Sequence, residues 1–249
     1  ALQIKPGKLF ESVYAAYEYA WNEQREDMHK PVERERWLTP AHVVNAFYNP
    51  LSNTFTMPAG ILQAPYFDPN GDPAANYGGI GAVIGHEISH GFDDRGRQFD
   101  GSGRNRNWWS KETDARFVAK SELLIKQYDA YCPWIGTCVN GLGTLGENIG
   151  DLAGLEISHA AWKLSLNAKA APVINGLTGE QRFFIAYARS YRGKMREELA
   201  RAMLDGDSHA PNRYRVNGVV RNMDAWYDAF DVKPGDKLYL PPEQRVKLW

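Results

Sequence analysis

The segment His86-Glu87-Ile88-Ser89-His90 constrains this chain more than any other feature of its sequence. Residues four apart lie on one face of an α-helix, so His86 and His90 can direct imidazole nitrogens at a single zinc ion. Glu87 then lies close enough to act on a water molecule at the metal without being a ligand. The apolar, glycine-rich residues before the motif predict a buried helix, and buried histidines need partners. The motif therefore predicts a metallopeptidase-type zinc site rather than a chance match on a surface helix.

A zinc site with three protein ligands and one open position needs one more residue. Glu147 and Asp151 are the best candidates, because they are four apart and share one face of a second predicted helix. One carboxylate would bind the metal and the other would hold a histidine, although such pairs commonly form a solvated face. Asp93, seven residues after His86, could also orient a ligand imidazole, or it could be a turn residue beside Asp94.

Composition and charge exclude several other classes of protein. Lys plus Arg number 29 and Asp plus Glu 30, whereas a nucleic-acid-binding chain would carry a basic excess. The glycine-rich apolar stretch at 78–85 is too short to span a bilayer, and no signal-peptide pattern is visible. Gly141-Leu-Gly143-Thr-Leu-Gly146 matches the dinucleotide-binding fingerprint, but no convincing strand precedes it. We interpret these glycines as sites of close backbone packing.

Spacing and capping patterns predict one mostly helical α+β domain. Apolar residues at Phe10, Tyr14, Tyr17 and Trp21 predict an amphipathic first helix. Predicted helices cover 8–30, 79–92, 110–131, 144–166, 178–191, 195–204 and 223–230, with Ser110 as an N-cap and Thr178 with Gln181 as a capping box. Short strands are predicted at 43–48 and within 53–62, loops at 66–77 and 93–107, and an irregular tail from Val232.

The two cysteines, Cys132 and Cys138, are six residues apart, with Pro133 and Gly136 between them. The proline and glycine allow the chain to turn back on itself, which favours a small disulfide loop and an oxidising compartment. The alternative is a pair of free thiols in a cytosolic protein. No second pair of cysteines or histidines flanks them, which argues against a metal site.

Several motifs in order, over about residues 40 to 249, resemble the neprilysin family of zinc metallopeptidases. They correspond to the family's substrate-binding strand, specificity-pocket segment, zinc helix, third-ligand helix and transition-state segment. In this chain they are 44–48, 58–63, 86–94, 146–151, and 207–211 with 215–218. The resemblance implies a thermolysin-like, gluzincin fold with a small sheet and one zinc ion per chain.

The resemblance also assigns roles to individual residues. It implies three zinc ligands, namely His86, His90 and Glu147. It implies a catalytic set of Glu87 as general base with His209 and Asp151, and it gives Asp93 and Asp151 the task of orienting imidazoles.

Further roles concern the substrate. His209 and Arg215 would stabilise the oxyanion and hold the substrate carbonyl. Asn45 and the backbone of Ala46 would pair with the bound peptide as an added strand. The pocket for a hydrophobic residue after the scissile bond would be lined by Ile61, Tyr66 and Val83.

Two features depart from the family pattern. Tyr191 occupies a place where members usually have Trp, which bears on the width of this pocket. The tail ends in Trp249 without the cysteine that animal members carry there, as in bacterial members.

The family's proteins are also much longer, with an N-terminal helical lid over the active site. We therefore expect residues 1–249 to be a C-terminal catalytic portion, with the N-terminal portion as a second chain or missing segment. The expected function is zinc-dependent endopeptidase action on oligopeptides. The alternatives are a fragment that is inactive until paired and a non-catalytic peptide-binding pseudo-peptidase. With paired cysteines, the bacterial resemblance indicates a periplasmic or secreted location.

Overall fold

The computed structural model of the chain describes residues 2–37 and 39–248. The chain divides into two compact units, Ala1–Arg36 and Trp37–Trp249, where the sequence indicated one domain. The first unit contains helix α1, Leu9–Asp27, and Pro31 follows its end as predicted.

The predicted apolar stripe of α1 is present, but it is not buried. Its four aromatic side chains are between 63% and 78% exposed, and no residue of the helix is buried. Within this unit the helix has no second described element against which the stripe could pack. The period of the sequence therefore predicted the helix correctly, whereas the burial that normally accompanies such a stripe is absent from this unit.

The second unit is mostly helical with one small sheet, as the sequence predicted. Its helices are α2 Pro73–Asn76, α3 Ala82–Ser89, α4 Lys111–Asp129, α5 Leu145–Ser165, α6 Gly179–Ser190, α7 Glu197–Gly206, α8 Asn212–Val220 and α9 Asp224–Phe230. Strand β1, Phe47–Asn49, pairs antiparallel with β2, Thr54–Thr56. Among the described helices, none combines the length and apolar character needed to cross a membrane.

Capping explains where several helices begin. The Ser110 side chain accepts the backbone N–H of Thr113 at the start of α4. Thr178 and Gln181 form the predicted capping box at the start of α6. Helix α2 lies inside the predicted 66–77 loop, and its turn is set by Asp72, whose carboxylate accepts from Ala74 N–H.

Other boundaries were not foreseen. Strand β1 begins later than predicted, because the segment at 43–46 is not part of the sheet, whereas β2 lies within the predicted range 53–62. Helix α8 was not predicted, because Asn212, Asn217 and Gly218 weaken the helical pattern of its sequence. Tertiary packing stabilises it, since Gly218, Val219 and Val220 are buried. The predicted tail is irregular apart from one 3₁₀ turn at Pro242–Gln244, and Trp249 lies outside the described residues.

Helix α5 passes through the hydrophobic core of the second unit. Eleven of its residues are buried, and helices α3, α4 and α8 pack against it. The largest fully buried side chains of the core include Trp162 of α5 itself, with Tyr128, Phe183 and Tyr187 from other helices. Burial on this scale fixes the position of α5, so the polar residues of its first turns are held on a rigid element.

Helices α3 and α5 approach each other through glycine. A Cβ atom added at Gly85 would lie 2.5 Å from the carbonyl oxygen of Gly154. One added at Gly154 would lie 2.4 Å from the backbone nitrogen of His86. The two backbones are therefore in direct contact, and the zinc-motif histidines of α3 face the first turns of α5.

The loop between α4 and α5 is closed by a disulfide bond between Cys132 and Cys138. The predicted pairing is therefore confirmed, and the alternative of two free thiols is excluded. The loop joins the ends of two core helices, and Val139, which follows the second cysteine, is buried in the core.

Candidate active site

Three candidate ligand atoms converge where α3 meets α5. Nε2 of His86 lies 3.2 Å from Oε2 of Glu147 and 3.0 Å from Nε2 of His90. Nε2 of His90 lies 3.8 Å from the same Glu147 oxygen. These three residues form a group whose ligand atoms all lie within 4.8 Å of one another. The structure thus brings together the three residues that the sequence proposed as ligands.

The other nitrogen of each imidazole lies close to a carboxylate, as a hydrogen bond for His90 and as a close ionic contact for His86. Nδ1 of His86 lies 2.9 Å from Oδ1 of Asp151, and Nδ1 of His90 lies 2.7 Å from Oδ2 of Asp93. A carboxylate that accepts the Nδ1 proton leaves a lone pair on Nε2. Two such lone pairs would face each other at 3.0 Å, an arrangement that a cation between them would stabilise.

The spacing and charge of this group fit zinc. Zn–N and Zn–O bonds of about 2.0–2.1 Å in a tetrahedron place ligand atoms about 3.3 Å apart, and the observed separations are 3.0, 3.2 and 3.8 Å. Oε2 of Glu147 is buried and makes no hydrogen bond of acceptable geometry within the described residues. This buried oxygen lies close to the Nε2 atoms of His86 and His90, and together the three atoms are a ligand set that suits zinc.

The electrostatics of the group also favour added positive charge. Burial alone would lower the pKa of the His86 imidazole, but the carboxylates of Asp151 and Glu147 outweigh burial and raise it to about 9. Burial opposes ionisation of Glu147, yet its contacts with the imidazoles of His209 and His86 hold its pKa well below the usual range. Glu147 is thus a carboxylate, as a metal ligand must be.

The Asp93 carboxylate is fixed by nearby backbone. Its Oδ1 accepts the N–H groups of Arg95 and Gly96, at 2.8 and 2.6 Å, while Oδ2 faces His90. Helix α3 ends at Ser89, so Asp93 lies in the turn beyond the helix rather than two helical turns along it.

The Asp151 carboxylate is fixed by side chains from distant parts of the chain. Arg215 donates from Nε to Oδ2 and from Nη2 to Oδ1, both at 2.7 Å. The Tyr191 hydroxyl donates to Oδ1 at 3.0 Å. Burial of Asp151 opposes its ionisation, but Arg215 outweighs burial and keeps its pKa well below the usual range. Oδ1 of Asp151 therefore accepts from Arg215 and Tyr191 and also lies 2.9 Å from Nδ1 of His86.

A cleft of about 380 Å³ opens in front of the candidate ligands. Glu87 is buried at its wall, between the two histidines in sequence, and burial raises the pKa of its carboxyl group. All three residues proposed for the hydrophobic pocket, Ile61, Tyr66 and Val83, line this cleft.

His209 and Arg215 also line the cleft, reached from the loop before α8 and from α8 itself. Nε2 of His209 lies 3.0 Å from Oε2 of Glu147, and Nδ1 lies 2.7 Å from Oδ1 of Asp207. The contact with Glu147 raises the pKa of the His209 imidazole. Arg215 donates to Asp151 from Nε and Nη2, and within the described residues its Nη1 makes no hydrogen bond.

Asn45 and Ala46 form the rim of the cleft just before β1. The backbone N–H of Ala46 donates to the Asn45 side-chain oxygen at 3.0 Å. Within the part of the chain that the structure describes, β2 pairs with one edge of β1 and no strand pairs with the other. A peptide added at that edge would compete for the Ala46 N–H.

Sequence reasoning did not assign two contacts of this site. The sequence pattern assigns no role to Asp207, although its place two residues before His209 suits a carboxylate that turns back to orient an imidazole. Tyr191 was noted only for the width of the pocket, and nothing in the sequence links its hydroxyl to Asp151. Gly141 and Gly143 lie in the turn that leads into α5, and Gly146 lies in the first turn of α5, where it packs against Asp94 and Asp93.

Comparison with known proteins agrees with this geometry. The sequence profile of peptidase family M13 matches residues 45–246. Neprilysin-2 of Caenorhabditis elegans is 36% identical over 252 residues, which cover 99% of this chain and 34% of that protein. The neutral endopeptidase of Lactobacillus helveticus is 40% identical over 251 residues, which cover 100% of this chain and 37% of that protein.

A solved structure gives the same result. The crystal structure of zinc metalloprotease ZMP1 from Mycobacterium tuberculosis, in complex with an inhibitor, superposes with a TM-score of 0.94 at 47% identity. The match covers 100% of this chain and 39% of that one. The chain therefore spans between about a third and two fifths of the length of the relatives named here.

Proposed function

The chain belongs to peptidase family M13, and on that premise we propose that it is the catalytic portion of a zinc-dependent endopeptidase that hydrolyses oligopeptides. The observation that carries the proposal is the convergence of His86, His90 and Glu147 at the wall of an open cleft. Glu87 lies beside them, which supports hydrolysis over simple metal storage or peptide binding.

A zinc ion held by these three residues would polarise the scissile carbonyl and lower the pKa of water. Glu87 would accept a proton from the attacking water and donate it to the leaving amine. Its buried position, which raises the pKa of the carboxyl group, suits a base that must also act as an acid near neutral pH.

His209 and Arg215 are the donors for the charge that develops on the carbonyl oxygen. Asp207 orients His209. Asp151 fixes Arg215 through Nε and Nη2, so that its Nη1 could donate to the substrate. Donors that are already held in place need no reorganisation when charge develops, and each such donor contributes about 3 kcal/mol. Asp93 and Asp151 would act through the imidazoles that they orient.

The substrate would lie along the free edge of β1 as an added strand, with Asn45 and Ala46 as its backbone partners. Its side chain after the scissile bond would enter the pocket formed by Ile61, Tyr66 and Val83. These side chains are largely apolar, which supports a preference for a hydrophobic residue at that position.

Two further features belong to the proposal. The Cys132–Cys138 disulfide supports a periplasmic or secreted location, where such bonds persist. Because the relatives named above are about three times longer, we propose that an N-terminal portion completes the enzyme, either in the same chain or as a partner.

The test is cleavage of a quenched-fluorescent peptide with a hydrophobic residue after the scissile bond, with and without a zinc chelator. We expect cleavage that the chelator abolishes and added zinc restores. Glu87→Gln should keep its zinc, measured by elemental analysis, and lose more than about a hundredfold in kcat, within the roughly 10²–10⁴-fold range of general-base catalysis. Glu147→Ala should lose the zinc itself.

The outcomes separate the alternatives. Normal turnover by Glu87→Gln would overturn the base assignment, and full zinc occupancy in Glu147→Ala would overturn the ligand assignment. Zinc binding without cleavage would favour a fragment that needs its N-terminal portion, and adding that portion should then restore activity. Continued inactivity after that addition would favour a peptide-binding pseudo-peptidase.

A further inference from the structure

Tyr191 contacts both members of the buried ion pair behind the candidate metal ligands. Its hydroxyl donates to Oδ1 of Asp151 at 3.0 Å, the same oxygen that faces Nδ1 of His86 at 2.9 Å. Its ring lies under the guanidinium of Arg215, with 4.9 Å between the Arg215 Cζ and the ring centroid. We propose that Tyr191 is a positioning residue, which holds Asp151 and Arg215 as one unit and acts through them on His86.

The hydroxyl restricts the rotation of the Asp151 carboxylate. The Arg215 fork already fixes one carboxylate edge through Nε and Nη2. The Tyr191 hydroxyl adds a donor on Oδ1 from the C-terminal end of a different helix, α6, whereas Arg215 comes from α8. Donors from two elements define the plane of the carboxylate better than a single fork, so the Asp151 oxygen that lies 2.9 Å from Nδ1 of His86 is held in a fixed position.

The ring restricts the Arg215 side chain. A guanidinium is attracted to the face of an aromatic ring, and this attraction is stronger in a site shielded from water. The Arg215 side chain is only 15% exposed, with Nε and Nη2 bonded to Asp151, the ring of Tyr191 against its face and, within the described residues, no hydrogen bond at Nη1. Tyr191 therefore helps to define the direction in which this nitrogen can point.

The hydroxyl of Tyr191 has one available role in this packing. Burial raises the pKa of the phenol, so it remains a neutral donor at ordinary pH. A hydroxyl buried at this depth without an acceptor would be unfavourable, and Asp151 supplies the acceptor. The inference rests on the proposed zinc site, because Tyr191 acts through Asp151 on His86, one of the proposed ligands.

The test is Tyr191→Phe, which removes the hydroxyl and keeps the ring over Arg215. Tyr128→Phe is the matched control, because its hydroxyl, on a fully buried side chain, donates to the backbone oxygen of Tyr214 and makes no hydrogen bond to Asp151. Zinc affinity is measured on the full chain by competition with a chromophoric chelator, and stability by urea unfolding. Kinetics with the quenched peptide give kcat and KM separately.

We expect Tyr191→Phe to bind zinc about three- to tenfold more weakly than the wild type, somewhat less than the roughly tenfold or more that follows loss of a direct carboxylate partner. Its kcat should fall while KM stays within about twofold. Tyr128→Phe should show a comparable loss of stability but unchanged zinc affinity. The affinity comparison is meaningful once urea unfolding shows that both variants are folded.

Equal zinc affinity in wild type and Tyr191→Phe would overturn the inference. So would a loss of affinity of the same size in Tyr128→Phe, since that would indicate general loosening of the core. A second variant, Tyr191→Leu, removes the ring as well and should lower affinity and kcat further. Because zinc affinity is read without turnover, an inactive wild type would count against the proposed function alone.

Discussion

The two imidazoles of the zinc motif are held by carboxylates in two different ways. His90 is held by Asp93, three residues further along the chain, and that carboxylate is fixed by backbone N–H groups of the same turn. His86 is held by Asp151 on another helix, and that carboxylate is fixed by Arg215 and by Tyr191. One arrangement is complete within a few residues, whereas the other requires α3, α5, α6 and α8 to be assembled.

The Asp93 and Asp151 carboxylates differ in the kind of interaction that keeps each of them ionised while buried. Backbone N–H groups are neutral donors that a turn supplies whatever the rest of the fold does. Arg215 is a buried charge that itself needs Asp151, so each partner would be unfavourable alone. The His90 side should therefore respond to mutation locally, and the His86 side should respond through the stability of the whole unit.

The largest contrast is expected between Asp151→Asn and Asp93→Asn. The Asp151→Asn substitution would leave the Arg215 guanidinium buried without a counter-charge, which costs about 3–5 kcal/mol of unfolding free energy. In Asp93→Asn the new amide oxygen can still accept both backbone N–H groups, so the cost should be about 1 kcal/mol. Urea unfolding of both variants in the presence of a chelator measures this difference.

Asp151→Asn and Asp93→Asn should differ in stability but not in their loss of zinc affinity. In either variant the amide can donate to Nδ1, which moves the imidazole proton to Nε2 and removes the lone pair that binds metal. Both should lose about ten- to a hundredfold in zinc affinity. Equal losses of stability in the two variants would contradict the comparison, and so would retention of zinc affinity in Asp93→Asn.

The same division decides how much of the site could be predicted. The zinc helix follows from the spacing of His86 and His90, which is a local period. The spacing of Glu147 and Asp151 predicts only that they share a helix face, and the family resemblance was needed to choose Glu147 as the ligand. Capping residues such as Ser110 and Thr178 likewise act within one turn. Nothing local to Tyr191 shows that its hydroxyl faces Asp151, forty residues earlier in the chain.

Helix boundaries show the same limit. Helix α8 has Asn and Gly within it, and the buried positions of Val219 and Val220 stabilise it through packing rather than propensity. The aromatic stripe of α1 shows the reverse case, since a strong local period predicts a helix without saying whether its apolar face is covered. Propensity and period describe a segment, whereas burial depends on the partners that the fold supplies.

A smaller effect is expected from Gly154→Ala, which acts on the His86 side alone. The added methyl group would lie 2.4 Å from the backbone nitrogen of His86 and 2.8 Å from the Ala82 carbonyl oxygen, so the backbones of α3 and α5 must separate. Overpacking of this kind costs about 2–3 kcal/mol. Zinc affinity should fall as well, because His86 moves away from Asp151 and Glu147. Both are measured by urea unfolding and chelator competition.

Gly206→Ala is the matched control for this prediction. Gly206 is the last residue of α7, and a methyl group added there would have no heavy atom within 4 Å. Its stability should change by less than about 0.5 kcal/mol, with zinc affinity unchanged. A Gly154→Ala variant as stable as this control would show that the helices can separate at little cost, and the His86 side would then be less dependent on the fold than we infer.

The smallest effect concerns a carboxylate of α5 that lacks a hydrogen-bond donor in the described part of the chain. Glu156 lies five residues after Asp151, and burial raises its pKa from 4.5 to about 7, although Lys247 and Lys120 oppose the shift. Asp151 shows the opposite direction on the same helix, because Arg215 outweighs its burial. Comparing Glu156 with Asp151 therefore separates the effect of burial on a carboxyl pKa from the effect of a charged hydrogen-bond partner.

The signs of the two shifts give opposite pH dependences. Ionised Glu156 is less favourable in the folded state than in the unfolded one, so stability should fall as pH rises from about 4.5 to about 7 and then level off. Glu156→Gln cannot ionise and should be more stable than the wild type by about 1–2 kcal/mol at about pH 8, with no difference at about pH 4.

Glu122→Gln, at an exposed position of α4, controls for the substitution itself. Urea unfolding at both pH values measures the gap, and a gap of the same size at both would show that burial without a donor does not raise this pKa. Burial within α5 would then not be the effect that Arg215 and Tyr191 counteract at the Asp151 carboxylate.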